Sequence, residues 1–167
     1  NLENEQALRA AWDQITQRLG PELESCLICR MEPADAEMIL GISHDPEFGP
    51  MVLFGLGGLV AEIVDDVVLT PAPVDPQRAL ALLQTLKLWP LLNGARGRQK
   101  LDTDAVCDMI SRLSWLGDDL RDILLELDLN PVMVRRQGEG AVAVDARATL
   151  KTASQNTNTG LSSAGSA

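Results

Sequence analysis

From Asn4 to Leu19 the apolar positions Leu8, Ala11, Trp12, Ile15 and Leu19 recur every three or four residues. That period predicts an amphipathic helix, with Asn4 as its N-cap and Gly20-Pro21 as its stop. The period then changes. Ser25 to Met31, Glu37 to Ser43 and Met51 to Phe54 are short apolar runs set between turn residues, and they predict strands. Leu59 to Val64 fits a short helix or a strand equally. Asp66 to Leu69 reads as a strand, and Thr70 to Pro76 as a proline-punctuated connector. Helical spacing returns in two blocks, Pro76 to Leu88 and Thr103 to Leu125. The second carries Val106, Ile110, Leu113, Leu116, Leu120 and Leu124 on one face. Two more strands, Glu126 to Val134 and Ala141 to Asp145, flank Gln137-Gly138-Glu139-Gly140. Hairpin-spaced strands with helices in blocks predict an α+β fold: a mostly antiparallel sheet with helices packed on one face. One domain is expected over 1–150. The tail from Lys151 to Ala167 has only Leu161 as a bulky apolar residue and is expected to be disordered.

Composition narrows the classes of function. The 167 residues are 46% hydrophobic and 23% charged, which is ordinary for a globular chain. Fourteen basic against 24 acidic residues give a net charge of −10. A chain without excess cation is a poor general binder of nucleic acid or of anionic lipid. No apolar window reaches the about 18 residues of a transmembrane helix, and the acidic start is not a secretory signal. Neither a membrane nor a nucleic-acid partner is expected. The three cysteines, Cys26, Cys29 and Cys107, fit a reduced cytoplasmic location. Cys26 and Cys29 form C-x-x-C inside an expected strand, where residues three apart point to opposite faces. With no second ligand pair, they are expected to be buried thiols.

The last hairpin gathers oxygen donors. With Gly138 as the turn centre, Asn130 lies eight residues before it and Asp145 seven after, nearly opposite each other. Asp128 and Asn130 are two apart and share a strand face. Hard oxygens so placed suit Mg²⁺, which completes its shell with phosphate and water. The other reading is that Asn130-Pro131 starts a strand and Asp145 caps one. Gly55, Gly57 and Gly58 follow a strand, where they either bring backbone N–H groups to an anion or form a tight turn. They do not match the dinucleotide fingerprint, whose last glycine position is Val60. Glu62 is either an exposed helix residue or a functional carboxylate. Arg96 and Arg98, on a Gly-rich loop, suit phosphate or carboxylate, or are simply solvated. His44, the one histidine, stands beside Asp45 as a possible base or phosphate acceptor, though a loop histidine is more often neither.

Several runs in order resemble a known family. They are Glu37-Met38-Ile39-Leu40-Gly41, then Asp45-Pro46-Glu47-Phe48-Gly49-Pro50-Met51-Val52-Leu53-Phe54-Gly55-Leu56-Gly57-Gly58, Glu62 and Asp66-Val67. Pro90-Leu91-Leu92-Asn93-Gly94-Ala95-Arg96-Gly97, Leu127-Asp128-Leu129-Asn130-Pro131 and Val144-Asp145-Ala146-Arg147 continue the series. Together they resemble the ATP-grasp region of NDP-forming acyl-CoA synthetases, over roughly Asn4 to Leu150, and more distantly the β subunit of succinyl-CoA synthetase. The resemblance implies the C-terminal ATP-grasp subdomain of an enzyme that interconverts acyl-CoA, phosphate and ADP with acid, CoA and ATP. It implies Mg²⁺ and ATP/ADP as cofactors. Asn130 and Asp145 match metal ligands, and Asp128 matches a catalytic acidic position beside a phosphohistidine. Gly55, Gly57, Gly58, Glu62 and Arg96 match the nucleotide-binding side. The implied partners are an N-terminal ATP-grasp lobe and CoA-binding and ligase domains or subunits, within an oligomer that meets CoA indirectly. This chain alone is expected to be inactive. It departs from the pattern in two places: it is expected to begin after the N-terminal lobe with its phosphate-holding lysines, and Cys29-Arg30 replaces a Gln-Glu pair near the adenine hinge. A related possibility is the synthetase-like regulatory region of a protein lysine acetyltransferase.

Overall fold

A computed structural model describes residues 1–58, 66–87 and 89–151. The element expected over Leu59 to Val64, Glu62 within it, and the tail beyond Lys151 lie outside the described residues. Packing divides the chain into two units, Asn1–Glu32 and a larger one that begins at Pro33.

The first unit is built on α1 (Glu5–Leu19). The Asn4 side chain accepts the Ala7 N–H at 2.9 Å, satisfying one of the helix's free donors. Arg9 pairs with Glu5 one turn away at 2.7 Å. Gly20, with φ 53°, ends the helix and leads into a 3₁₀ turn at Gly20–Glu22. No residue of α1 is buried. The strand expected over Ser25 to Met31 is not formed: the segment has no regular structure and no strand pairing. A strand needs a neighbour for its N–H and C=O groups, and this short unit supplies none. Leu27 is consequently 89% exposed. Cys26 and Cys29, expected to be buried, are exposed for the same reason.

The second unit is a six-stranded sheet with helices on one face. Its elements are β1 (Ala36–Asp45), β2 (Gly49–Leu56), β3 (Val67–Pro71), α2 (Pro76–Leu83), α3 (Trp89–Leu92), α4 (Thr103–Asp119), β4 (Leu124–Val134), β5 (Ala141–Ala143) and β6 (Ala146–Leu150). The order is β3-β2-β1-β4-β5, with β6 also on β4, and every pairing is antiparallel. Strand alternation sends Met38, Leu40 and Ile42 of β1, Val52, Phe54 and Leu56 of β2, and Val132 and Val134 of β4 into one core. The stripe Val106, Ile110 and Leu113 of α4 covers them, with Ala79 and Leu83 of α2 beside it. Each such side chain contributes roughly 1.5–3 kcal/mol on burial. Gly117 lets α4 approach closely, since a Cβ there would lie 2.9 Å from Ile42 Cδ1.

Two helices are shorter than their periodicity suggests. α2 ends at Leu83, and α4 ends at Asp119. Leu120 and Leu124 continue the helical spacing, but Leu124 is buried as the first residue of β4. Two buried polar side chains tie the layers together. The Ser114 hydroxyl accepts the Val74 N–H at 2.8 Å, joining α4 to the connector after β3. Asp102, 6% exposed, caps α4 through the Ala105 N–H at 3.1 Å, and its other oxygen accepts Gly138 N–H at 2.9 Å and Gly140 N–H at 2.8 Å.

Among the described residues of this unit, no helix packs on the opposite face of the sheet. By the same alternation it carries Ile39, Gly41 and Ser43 of β1, Met51, Leu53 and Gly55 of β2, Val67 and Leu69 of β3, and Glu126 and Asp128 of β4. Leu69 is 55% exposed there.

Candidate functional site

The oxygen donors sit at an irregularity in β4. Met38 pairs with Val132 and Leu40 with Leu129, so two steps along β1 oppose three along β4. The extra residue falls at Asn130-Pro131. Proline has no N–H to give the ladder, and a bulge is where a strand tolerates it. The neighbouring strand breaks at the same level: β5 ends at Ala143, opposite Val132, and β6 starts at Ala146, opposite Leu129. The Val144 N–H donates to Pro131 O at 3.2 Å within the gap. Counting inward from either pair puts Asn130 opposite Asp145. Both are exposed, and one Asp145 oxygen accepts the Ala146 N–H at 2.8 Å.

Asp128 is half-buried between Gly41 of β1 and Arg147 of β6, its two ladder partners. Gly41 leaves room beside it, since a Cβ there would come within 3.2 Å of Leu127 O and 4.0 Å of an Asp128 carboxylate oxygen. Among the described residues, no hydrogen bond or ion pair occupies the Asp128 carboxylate. By register Asp128 lies on the open side of the sheet, and Asn130 and Asp145 lie opposite each other two residues along. Two carboxylates and an amide form a hard-oxygen set that fits Mg²⁺. No group of three or more His, Cys, Asp or Glu able to hold a metal occurs among the described residues. A metal held at Asn130 and Asp145 would therefore draw most of its shell from a ligand.

The glycine run has packing reasons of its own. A Cβ on Gly55 would lie 2.6 Å from Asp66 O, so β3 could not pair there. The Gly57 N–H already donates to Glu37 O at 2.8 Å. Gly58 adopts φ 70°, which favours glycine. These contacts match the tight-turn reading. Arg96 lies in a 3₁₀ turn, Ala95–Gly97, between α3 and α4. His44 pairs opposite Pro50 near the β1–β2 turn. No hydrogen bond or ion pair joins it to Asp45 among the described residues; Asp45 Oδ1 accepts the Phe48 N–H at 2.9 Å and the Glu47 N–H at 2.8 Å. Those bonds, the Phe48 one first, hold the Asp45 carboxyl below the usual carboxylate range. Burial, with a smaller push from Asp104, raises the Cys107 thiol to about 11 and makes it a poor nucleophile.

Two features were not legible in advance. Arg147 is opposite Asp128 only because β6 pairs with β4, and β6 was not foreseen as a strand. Arg136 shares a cavity with Arg98, and the one hint was a pair of arginines at a strand end in an acidic chain.

An antiparallel sheet with helices on one face and oxygen donors on the other is the arrangement of an ATP-grasp subdomain. The ATP-grasp domain family matches residues 1–150, and the chain belongs to that family. Over 156 residues it is 40% identical to the β subunit of acetate–CoA ligase (ADP-forming) II of Pyrococcus furiosus. The match covers 90% of this chain and 66% of that subunit. It is 34% identical over 152 residues to 4-hydroxybutyrate–CoA ligase (ADP-forming) of Nitrosopumilus maritimus, covering 88% of this chain and 22% of the relative. Among solved structures it is similar to dinucleotide-forming acetyl-coenzyme A synthetase 1 of Ca. Korarchaeum cryptofilum in complex with coenzyme A and Mg-AMPPCP. That likeness has a TM-score of 0.79 at 35% identity and covers 90% of this chain and 66% of that one. PH1788 of Pyrococcus horikoshii Ot3 gives a TM-score of 0.77 at 38% identity, with the same coverage. The chain thus spans just under two thirds of the Pyrococcus and Korarchaeum chains and about a fifth of the Nitrosopumilus ligase.

Proposed function

We propose that this chain is the C-terminal ATP-grasp subdomain of an ADP-forming acyl-CoA synthetase, holding Mg²⁺ and the phosphate end of ATP or ADP. The observation that carries the reading is the continuous register of β4 against β5 and β6, by which Asn130 falls opposite Asp145 beside the β4 bulge, with Asp128 two residues away. Bound Mg²⁺ would neutralise charge on the nucleotide phosphates. Asn130 and Asp145 would hold it, and their exposure leaves its remaining positions to phosphate oxygens and water. Asp128, with no competing partner among the described residues, would accept a hydrogen bond from an imidazole N–H supplied by another domain, fixing that ring and its charge. Gly58, Glu62 and Arg96 would belong to the nucleotide-binding side of the completed site. Gly55 and Gly57 would shape the backbone beneath.

The assembled enzyme would interconvert acyl-CoA, phosphate and ADP with acid, CoA and ATP. CoA-binding and ligase domains, as further domains or a partner subunit, would supply the histidine and the thioester chemistry. The names of the similar proteins support a ligase over an acetyltransferase regulator. The uncovered apolar positions of the sheet, Val67 and Leu69 among them, suit an N-terminal ATP-grasp lobe closing over the nucleotide. The exposed Leu27, Ile28 and Met31 of the first unit suit a strand partner in that lobe. We place the assembly in the cytoplasm, as an oligomer. No described helix is long and apolar enough to cross a membrane. The test is calorimetric titration of ADP into the chain joined to the N-terminal lobe of a relative, with and without Mg²⁺. Mg²⁺-dependent binding that Asp145→Asn abolishes is expected. Binding that ignores both Mg²⁺ and Asp145 would overturn the assignment.

A further inference from the structure

We propose that the cavity between Arg98 and Arg136 binds a phosphate dianion, free or at the end of a small phosphorylated molecule. The cavity measures about 240 Å³ and is lined by Asp35, Leu91, Arg98, Gln99, Leu101 and Arg136. It sits where β1 begins and β4 ends. Arg136 is six residues beyond Asn130, roughly 20 Å along a strand, so the two sites are separate.

Backbone contacts hold its two walls together. Leu101 and Arg136 form an antiparallel bridge, the Gln137 N–H donates to Lys100 O at 3.0 Å, and the Asp102 N–H donates to Arg135 O at 2.9 Å. Gly94, at φ 80°, packs the loop so tightly that a Cβ there would lie 2.8 Å from Arg98 O. In a chain of net charge −10, Arg98 and Arg136 are thereby brought to one cavity.

The nearby carboxylates are mostly committed elsewhere. Asp102 holds the Gly138 and Gly140 N–H groups, and Asp104 accepts from Gln137 Nε2 at 3.2 Å. Glu139 is exposed on the turn. Asp35 faces Arg136, but at 3.6 Å, longer than the 2.7–2.9 Å typical of a charge-assisted hydrogen bond. The Arg98 guanidinium has no hydrogen-bond or ion-pair partner among the described residues. Two guanidinium forks, one loosely paired and one open, line this cavity, and a phosphate dianion with its several oxygens can accept from both. The Gln99 amide can supply a further donor. Asp35 acts as a resident competitor, which an incoming phosphate displaces from Arg136.

The test uses the full chain without nucleotide, in buffer containing a chelator to remove Mg²⁺. Inorganic phosphate is titrated at constant ionic strength, with chloride as the balancing anion, and backbone amides are followed by NMR. Saturable shifts at Arg98, Gln99 and Arg136 are expected, with none for chloride alone. Arg98→Gln and Arg136→Gln should each weaken binding by about tenfold, the scale of a charge-assisted hydrogen bond. Asp35→Asn should tighten it, because the competitor is gone. Exposed side chains make these substitutions safe for the fold, and the dispersion of the remaining amides checks that. Absence of saturation, unchanged affinity in both arginine variants, or weaker binding in Asp35→Asn would each overturn the proposal. Glycerol 3-phosphate, titrated in parallel, separates the two sources: saturation at lower concentration than phosphate assigns the site to a phosphorylated molecule, and the reverse to free phosphate.

Discussion

Replacing Asp102 with alanine removes three hydrogen bonds that join distant parts of the chain. One carboxylate oxygen caps α4 through the Ala105 N–H, and the other accepts from both Gly138 and Gly140 in the β4–β5 turn. Losing an N-cap costs roughly 0.5–2 kcal/mol. The two glycine donors face a charged acceptor, for which each bond is worth roughly 1.5–3 kcal/mol. The turn is open enough for water to replace part of that loss, so about 1 kcal/mol for each glycine bond is the sounder figure. The sum is a destabilisation of about 2.5–4 kcal/mol. Asp102→Asn keeps one carbonyl oxygen, which can serve the helix or the turn but not both, and should fall about midway. Urea unfolding followed by circular dichroism measures both variants, and faster hydrogen exchange at Gly138 and Gly140 locates the damage. A loss below about 1 kcal/mol for Asp102→Ala, with unchanged exchange at those glycines, would show that the carboxylate is not the staple described.

Other outcomes follow from the same contacts. Asp145→Asn should abolish Mg²⁺-dependent nucleotide binding in the assembled protein while shifting stability by about 1 kcal/mol or less, since the side chain is exposed. Gly55→Ala should destabilise by roughly 1–3 kcal/mol, because the new methyl meets Asp66 O, a backbone atom that cannot swing away. Asp45 is more acidic folded than unfolded, so its stabilisation is full above the usual carboxylate pKa and is lost as pH falls through the lowered one. Asp45→Asn should therefore flatten the acid limb of stability against pH. Under native conditions a thiol reagent should label Cys26 and Cys29 quickly and Cys107 only on unfolding, as read by mass spectrometry.

Where local rules govern, the sequence was readable. Met38, Leu40 and Ile42 alternate against Val52 and Phe54, so the β1–β2 hairpin could be placed from apolar spacing and the Asp45-Pro46 turn. The Asn130–Asp145 pairing followed from counting around Gly138, because the register across the break is conserved even though Asp145 lies between two strands. The end of α4 was obscured because Leu120 and Leu124 satisfy the helical period, while tertiary packing draws Leu124 into the sheet. Ser25 to Met31 has strand composition but no partner, and composition does not report partners. Asp102 and Gly138 are 36 residues apart, and Arg98 and Arg136 are 38 apart. Nothing in either neighbourhood signals that they meet.

The paired irregularities of β4 and the β5–β6 strand make core and candidate site depend on one count of residues. Val132 and Val134 face the core only because the bulge at Asn130-Pro131 restores phase with β1. Deleting a single residue there would turn both valines toward the open face. Substitutions can erase the oxygen donors and leave a sound fold, whereas a one-residue deletion removes fold and site together. Descendants of this chain that abandon chemistry should therefore keep the length of this segment and change only its letters.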